Sequence, residues 1–182
     1  MKYNKTITIK DGRKCLLRNG TAEDGKIVLE CFRKCHEETD FLLTYPDENT
    51  FTEDQEAEYL QSKTDSANEI EIIASVEGKV AGTAGIDSIG DKYKIRHRAE
   101  FGISVLKEYW GLGIGRALTE ACIECAREAG YLQVELDVVA DNKNAIALYE
   151  SLGFVEYGRN PIGFRSRISG MQELILMRLE LE

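Results

Sequence analysis

The chain has 182 residues, a formal net charge of −9, 43% apolar and 30% charged residues. That is enough for one domain with a proper core. The acidic balance excludes a general nucleic-acid binder, since phosphate affinity comes from clustered Lys and Arg. There is no apolar run of about 18 residues to span a membrane. The start, Met1 to Thr6, lacks the apolar core of a signal peptide, and a cytoplasmic protein is expected. Five cysteines, an odd number, fit free thiols in a reducing compartment.

In chain order, Thr6 to Lys10 alternates, Asp11-Gly12 is a hairpin turn, and Lys14 to Arg18 alternates again. Thr21-x-x-Asp24 reads as a capping box, and Ile27, Val28, Cys31, Phe32 and Cys35 carry helical spacing to about Glu38. Phe41 to Asn49 contains Pro46 and reads as a loop. Thr52-x-x-Gln55 then opens a short helix through Tyr59 and Leu60. Ile70 to Val76 and Val80 to Ile89 are strands around Glu77-Gly78-Lys79, with Gly82 and Gly85 expected to leave one face bare. Gly90-Asp91-Lys92 turns the chain into a third strand, Arg98 to Val105. A helix follows from Arg116 to Ala129, stopped by Gly130. Gln133 to Val139 is a strand, Asn142 to Leu152 a helix stopped by Gly153. Phe154 to Gly158 and Glu173 to Leu181 are strands joined by a basic loop, Arg159 to Ser169. The order is β-β-α-α-β-β-β-α-β-α-β-β, with a right-handed parallel crossover over residues 98–139.

Between strand and helix lies Tyr109-Trp110-Gly111-Leu112-Gly113-Ile114-Gly115-Arg116, with three glycines at alternate positions. A helix N-terminus with unpartnered amides and a positive dipole end suits a phosphate. The dinucleotide spacing G-x-G-x-x-G fails, because its sixth position is Arg116 counted from Gly111 and Leu118 counted from Gly113. A Walker A loop fails for want of its Gly-Lys pair. Spacing alone leaves either an uncommitted phosphate cradle or a tight connection without a ligand. The pairs Cys31/Cys35 and Cys122/Cys125 lie inside helices on the apolar stripe, so core packing is expected of them rather than metal or redox chemistry.

A second motif, Asn142-x-x-Ala145-x-x-Leu148-Tyr149-x-x-x-Gly153-Phe154, follows the next strand. Together with Trp110-x-x-Gly113-x-Gly115, it resembles the GNAT superfamily of N-acyltransferases, and the strand order over residues 14–181 is similar as well. The resemblance implies an α/β (α+β) fold: a mixed, mostly antiparallel sheet with a central parallel pair of splayed strands, flanked by helices. It implies one domain over 1–182, with residues 1–13 an extra N-terminal hairpin strand. It further implies acetyl-CoA as acyl donor and no metal. Ile103, Ser104 and Val105 would meet the pantetheine arm. The amides at Gly113, Gly115 and Arg116 would hold the pyrophosphate, and Trp110, Gly111, Asn142, Ala145 and Tyr149 would also border the cofactor. Trp110 departs from the Gln or Arg usual at its position, so charge is expected instead from Arg116 or Lys143.

The reaction implied is attack of a neutral amine on the thioester. Tyr149 matches the general acid that protonates the leaving thiolate. Glu100, on the face of Gly102 and Ser104, is expected to be the base or a member of a water chain. His97, near the start of the same strand and of a residue type suited to base chemistry, competes with it. Asp40, Tyr45, Asp47 and Glu48 are candidates to receive a cationic amine. The acceptor, a small molecule or a protein amine, stays open, as does a catalytically silent acyl-CoA-binding module. Homodimerisation, common in the superfamily, is compatible with the sequence; no nucleic-acid or membrane partner is expected.

Overall fold

The computed structural model describes residues 1–181. Strands β1 (Asn4–Thr8) and β2 (Lys14–Asn19) pair antiparallel around Gly12, whose φ of +91° is open to glycine at no steric cost. A tight helical turn at Ala22–Asp24 leads into α1 (Gly25–Glu38). Thr21 and Asp24 cap each other reciprocally, and Asp24, 4% exposed, also takes both arms of the Arg18 guanidinium at 2.6 and 2.7 Å. Thr52 and Gln55 cap α2 (Glu53–Asp65) in the same way. This helix runs a turn past Leu60, where the apolar pattern ends, because its last turn is held by ions: Lys63 pairs with Glu69 at 3.0 Å and with Asp87.

The remaining elements are β3 (Ile70–Val76), β4 (Lys79–Ser88), β5 (Arg98–Val105), α3 (Ile114–Glu128), β6 (Gln133–Val139), α4 (Lys143–Ser151), β7 (Val155–Ser166) and β8 (Gly170–Glu180). They build one eight-stranded sheet in the order β1-β2-β3-β4-β5-β6-β8-β7. Every pair is antiparallel except β5 with β6. The mixed sheet with one central parallel pair is the architecture expected. Ile73 packs with Val28 of α1 and Leu60 of α2 on one face of the sheet. Phe101 packs with Tyr149 of α4 on the other. No described helix is long and apolar enough to cross a membrane.

Two expectations need correction. The stretch Arg159 to Ser169 is not a loop: β7 continues to Ser166 against β8, with a register shift between Asn160 and Phe164, and ends with Ser166 opposite Gly170. Its side chains are almost all exposed, so no apolar alternation marks it as a strand. Gly82 and Gly85 do not bare a common face. They are three residues apart on one strand and point to opposite sides; Gly85 instead stands beside Gly102 of β5.

The extra N-terminal hairpin has a structural role. Its turn leans on the glycine loop, where the Lys10 amide donates to the Leu112 carbonyl at 3.1 Å. The Arg13 guanidinium sits 5.7 Å over the ring of buried Tyr109.

Helices α1 and α2 cross closely at Gly25. A Cβ there would meet the Ala57 amide and Glu53 carbonyl at 2.8 Å, both backbone atoms. Gly25→Ala should therefore destabilise the protein by about 1–3 kcal/mol in urea unfolding, although alanine is the better helix former by about 1 kcal/mol. Equal or greater stability would show that the helices separate freely.

Candidate active site

Strands β5 and β6 pair only over three residues, Arg98 to Glu100 against Gln133 to Glu135. Beyond that point each stays with its outer neighbour: β5 follows β4 as far as Val105, and β6 follows β8 as far as Val139. The two therefore part. Main-chain direction along β5 alternates, and two bonds set its phase. The His97 carbonyl takes amides from Leu132 and Gln133 on the β6 side, while the Leu106 amide donates to Ala81 on the β4 side. Odd-numbered residues thus face the opening and even-numbered ones face β4. Ile103 and Val105 present backbone groups to the opening. Ser104 does not; its main chain is committed to β4, and its hydroxyl meets the Cys35 thiol of α1 on the opposite face from Phe101.

The opening leads to the glycine loop. Gly111 and Gly113 have φ of +76° and +94°, the left-handed region, and no atom lies within 4 Å of where their Cβ atoms would be. Gly113 is the N-cap of α3 and supplies no side-chain cap. The first helical bond runs from Ala117 to the Gly113 carbonyl at 3.1 Å. The amides of Ile114, Gly115 and Arg116 precede it and aim outward at the positive end of the helix dipole. Ile114 was not singled out from the sequence, because its side chain is buried core and only its amide matters here. Gly115 needs no special φ; a Cβ there would touch Leu148 of α4 at an ordinary 3.6 Å.

Trp110 replaces a side-chain contact with an internal one. Its indole Nε1 donates to the Val105 carbonyl at 2.7 Å, tying the loop to the end of β5. The amide of Val105 and both groups of Ile103 then lie on that edge beyond the last β5–β6 pair. Arg116 lies beside the loop with its guanidinium on Ser151 Oγ at 2.5 Å and Glu120 at 3.4 Å. Lys143 turns its ammonium to the Ala140 carbonyl. Asn142 caps α4 by accepting from the Ala145 amide at 3.3 Å.

Tyr149 projects from α4, 6% exposed, with its ring against Phe101 (centroids 6.1 Å apart, edge to face) and Phe154 (5.7 Å). Its hydroxyl makes no hydrogen bond among the described residues, and burial pushes the phenol up to about 12. It stays protonated at neutral pH and has its donor free.

Glu100 neighbours Phe101 and so points to the other face. Partial burial raises its carboxyl first, followed by the nearby charges of Asp137, Asp87 and Glu135. Two of these have cations: Arg98 holds Glu135 with both arms, and Lys63 holds Asp87. Glu100 and Asp137 have none among the described residues. One carboxylate escaped sequence reading. Glu71 of β3 shares this face, and burial raises it to about 7 against a hydrogen bond from Thr83 that favours its charge. In the sequence it is one acid in a strand of isoleucines, and only the sheet register brings it to the site.

His97 lies at the far end of β5 from the glycine loop. It lines a cavity of about 630 Å³ with Tyr93, Lys94, Arg96 and Leu132, so it is not brought to the opening. Asp40, Asp47 and Glu48 are already engaged. Asp40 accepts from Ser166 (2.6 Å), Ser169 and Tyr45 (3.0 Å each), and Arg167 pairs with Asp47 and Glu48 at 2.7 and 3.5 Å. They pin the loop before α2 to the tip of the β7–β8 hairpin. All five cysteines are buried free thiols. Among the described residues no group of three or more side chains is placed to hold a metal ion.

The splayed central strands and the uncapped glycine turn define an acyltransferase-type fold, and comparison with known proteins agrees. A model of the acetyltransferase (GNAT) family matches residues 29–154, and the chain belongs to that family. Human N-acetyltransferase 8B is 37% identical over 89 residues, 48% of this chain and 39% of that protein. Mycothiol acetyltransferase of Kocuria rhizophila is 50% identical over 54 residues, 30% of this chain and 18% of that protein. The chain thus spans well under half the length of these curated relatives. An acetyltransferase of the GNAT family from Streptococcus pneumoniae superposes with a TM-score of 0.88 at 27% identity, covering 92% of this chain and 99% of that one. A Salmonella typhimurium protein solved with acetyl-CoA has the same fold, with a TM-score of 0.80 at 20% identity over 91% of this chain and 93% of that one.

Trp110→Phe keeps the ring and removes the donor to Val105. It should weaken coenzyme A binding about three- to tenfold by calorimetry, the worth of one hydrogen bond. Unchanged affinity would show that the loop holds its shape without that tie.

Proposed function

We propose that this chain is an N-acetyltransferase that moves acetyl from acetyl-CoA to a primary amine by direct attack. The observation that carries the reading is the continuous run of free donors and acceptors. It passes from the open edge of β5 at Ile103 and Val105, across the vacant positions at Gly111 and Gly113, to the uncapped amides of Ile114, Gly115 and Arg116. A pantetheine arm carries amides that bond an open strand edge as another strand would. A pyrophosphate fits the helix N-terminus. The Salmonella neighbour solved with acetyl-CoA supports the same donor. Arg116, and Lys143 after release from Ala140, would supply charge to the phosphates.

With the donor in the opening, its thioester reaches the depth of Tyr149 and Phe101, and the amine approaches from the Glu100 face. Glu100 is the first carboxylate that an incoming ammonium meets, and it joins the path by which the proton leaves. The amine lone pair adds to the thioester carbonyl, the C–S bond breaks, and the Tyr149 hydroxyl donates its proton to the departing thiolate; the acylated nitrogen then loses its extra proton to solvent, and Tyr149 is reprotonated from solvent. Burial among Phe101 and Phe154 keeps water from that thiolate, which makes a phenol an adequate donor.

Tyr149→Phe should lower kcat about a hundredfold while changing the coenzyme A dissociation constant by less than about threefold. A thiol-release assay over a panel of amines, with calorimetry in parallel, checks both. Tight coenzyme A binding without release for any amine would overturn the enzyme reading and leave a binding module. Glu100→Gln should raise KM for the amine several-fold and leave the KM for acetyl-CoA unchanged; equal values for both variant and wild type would remove Glu100 from the acceptor side.

A further inference from the structure

Three positions in one cross-strand row carry little or no side chain except at one end. Glu71 of β3 is the register partner of Gly85 of β4, and Gly85 is the partner of Gly102 of β5. Cross-strand partners share a face, and Gly102 shares the face of Glu100 two residues before it. The Glu71 carboxylate extends over Gly85, into the volume that a Cβ there would need. The matching volume over Gly102 is empty, with no atom within 4 Å of a Cβ position. Strands lie about 4.8 Å apart, so the carboxylate stands roughly one strand from that empty space. Gly102 itself sits just past the last residue at which β5 and β6 pair.

We propose that the bare patch over Gly102 receives the acceptor amine and that Glu71 is the base that takes its proton, with Glu100 as the outer carboxylate of the same path. This rests on the acetyl-transfer reading above. The step balances without a further reactant. One N–H bond of the ammonium breaks and its proton goes to a Glu71 oxygen. The freed lone pair forms the C–N bond, the C–S electron pair leaves with sulfur, and sulfur is protonated from Tyr149; the second N–H proton, now on the acylated nitrogen, leaves to solvent, and Tyr149 regains a proton from solvent. Glu71 then returns its proton to solvent along the Glu100 face.

The surroundings suit that duty. From α2, Glu56, Tyr59 and Lys63 face Glu71; from β4, Thr83 and Asp87. From the β2 side the Gly20 amide bonds the Glu71 carbonyl at 2.8 Å. Burial dominates and pushes the carboxyl up; Asp87 and Glu56 add to it, while Thr83 and Lys63 oppose. The result, about 7, is near neutral pH, where a base serves best.

The base works when deprotonated, so kcat should rise with pH through an acid limb near neutrality. Glu71→Gln should lower kcat at least about tenfold and abolish that limb, with coenzyme A affinity unchanged. Thr83→Val removes a donor that favours the charged carboxylate, so it should move the limb to higher pH. It also decides the matter should the Gln variant fail to fold. Glu71→Gln that keeps the limb and nearly full kcat, or a limb unmoved in Thr83→Val, would overturn the assignment. A wild-type protein that transfers acetyl to no amine would instead overturn the underlying reaction.

Discussion

Strands β5 and β6 hold each other through three residues and then separate, because each stays paired to an antiparallel neighbour on its other side. A parallel ladder is slightly weaker per residue than an antiparallel one, so the seam between the two strands is where the sheet opens at least cost. The opening leaves backbone groups of Ile103 and Val105 without strand partners. Left buried and unmet, such groups would cost about 1–3 kcal/mol each. They stay affordable because they line a wedge that solvent or a ligand can fill. The other parts of the candidate site are placed by this wedge.

The glycine loop continues the edge that the wedge exposes. Trp110 fastens the loop to Val105, the N-terminal hairpin supports it from behind through Lys10 and Arg13, and Gly111 and Gly113 turn the chain so that α3 begins with bare amides. These contacts fix the loop from within. They explain how a tryptophan can stand where a charged or amide side chain is usual: its role is to position the backbone. In the proposed reaction the donor side is accordingly built almost wholly from main chain, with the Tyr149 hydroxyl as its side-chain proton donor.

The opposite face is governed by charge. Glu71, Asp87, Glu100, Glu135 and Asp137 gather on a sheet surface left low by Gly85 and Gly102. Arg98 and Lys63 pair with two of the five, and the carboxyls of the other three are raised by burial first and by neighbouring carboxylates second. Such a surface favours the arrival of a cation and the departure of a proton. The two faces follow from strand alternation: adjacent residues Glu100 and Phe101 point to different sides, one among the carboxylates and one against Tyr149.

The sequence by itself determined the order of elements, both capping boxes, the glycine turn before α3 and the Asn142–Phe154 motif that carries Tyr149. All of these are local: spacing along the chain is also spacing along one helix, strand or turn. It misread what depends on distant partners. The outer part of β7, from Arg159 to Ser166, has no apolar alternation because its side chains lie mostly exposed. Asp40, Asp47 and Glu48 looked free until the hairpin tip arrived to engage them. His97 lies on the same strand as Glu100 yet at the wrong end of it. Ser104 was assigned to the cofactor without the register that turns its main chain toward β4. Glu71 was invisible for the same reason, since its place beside Gly85 and Gly102 exists only once three strands are laid side by side. Tertiary structure decided these points because register, unlike periodicity, is set by strands far apart in the chain.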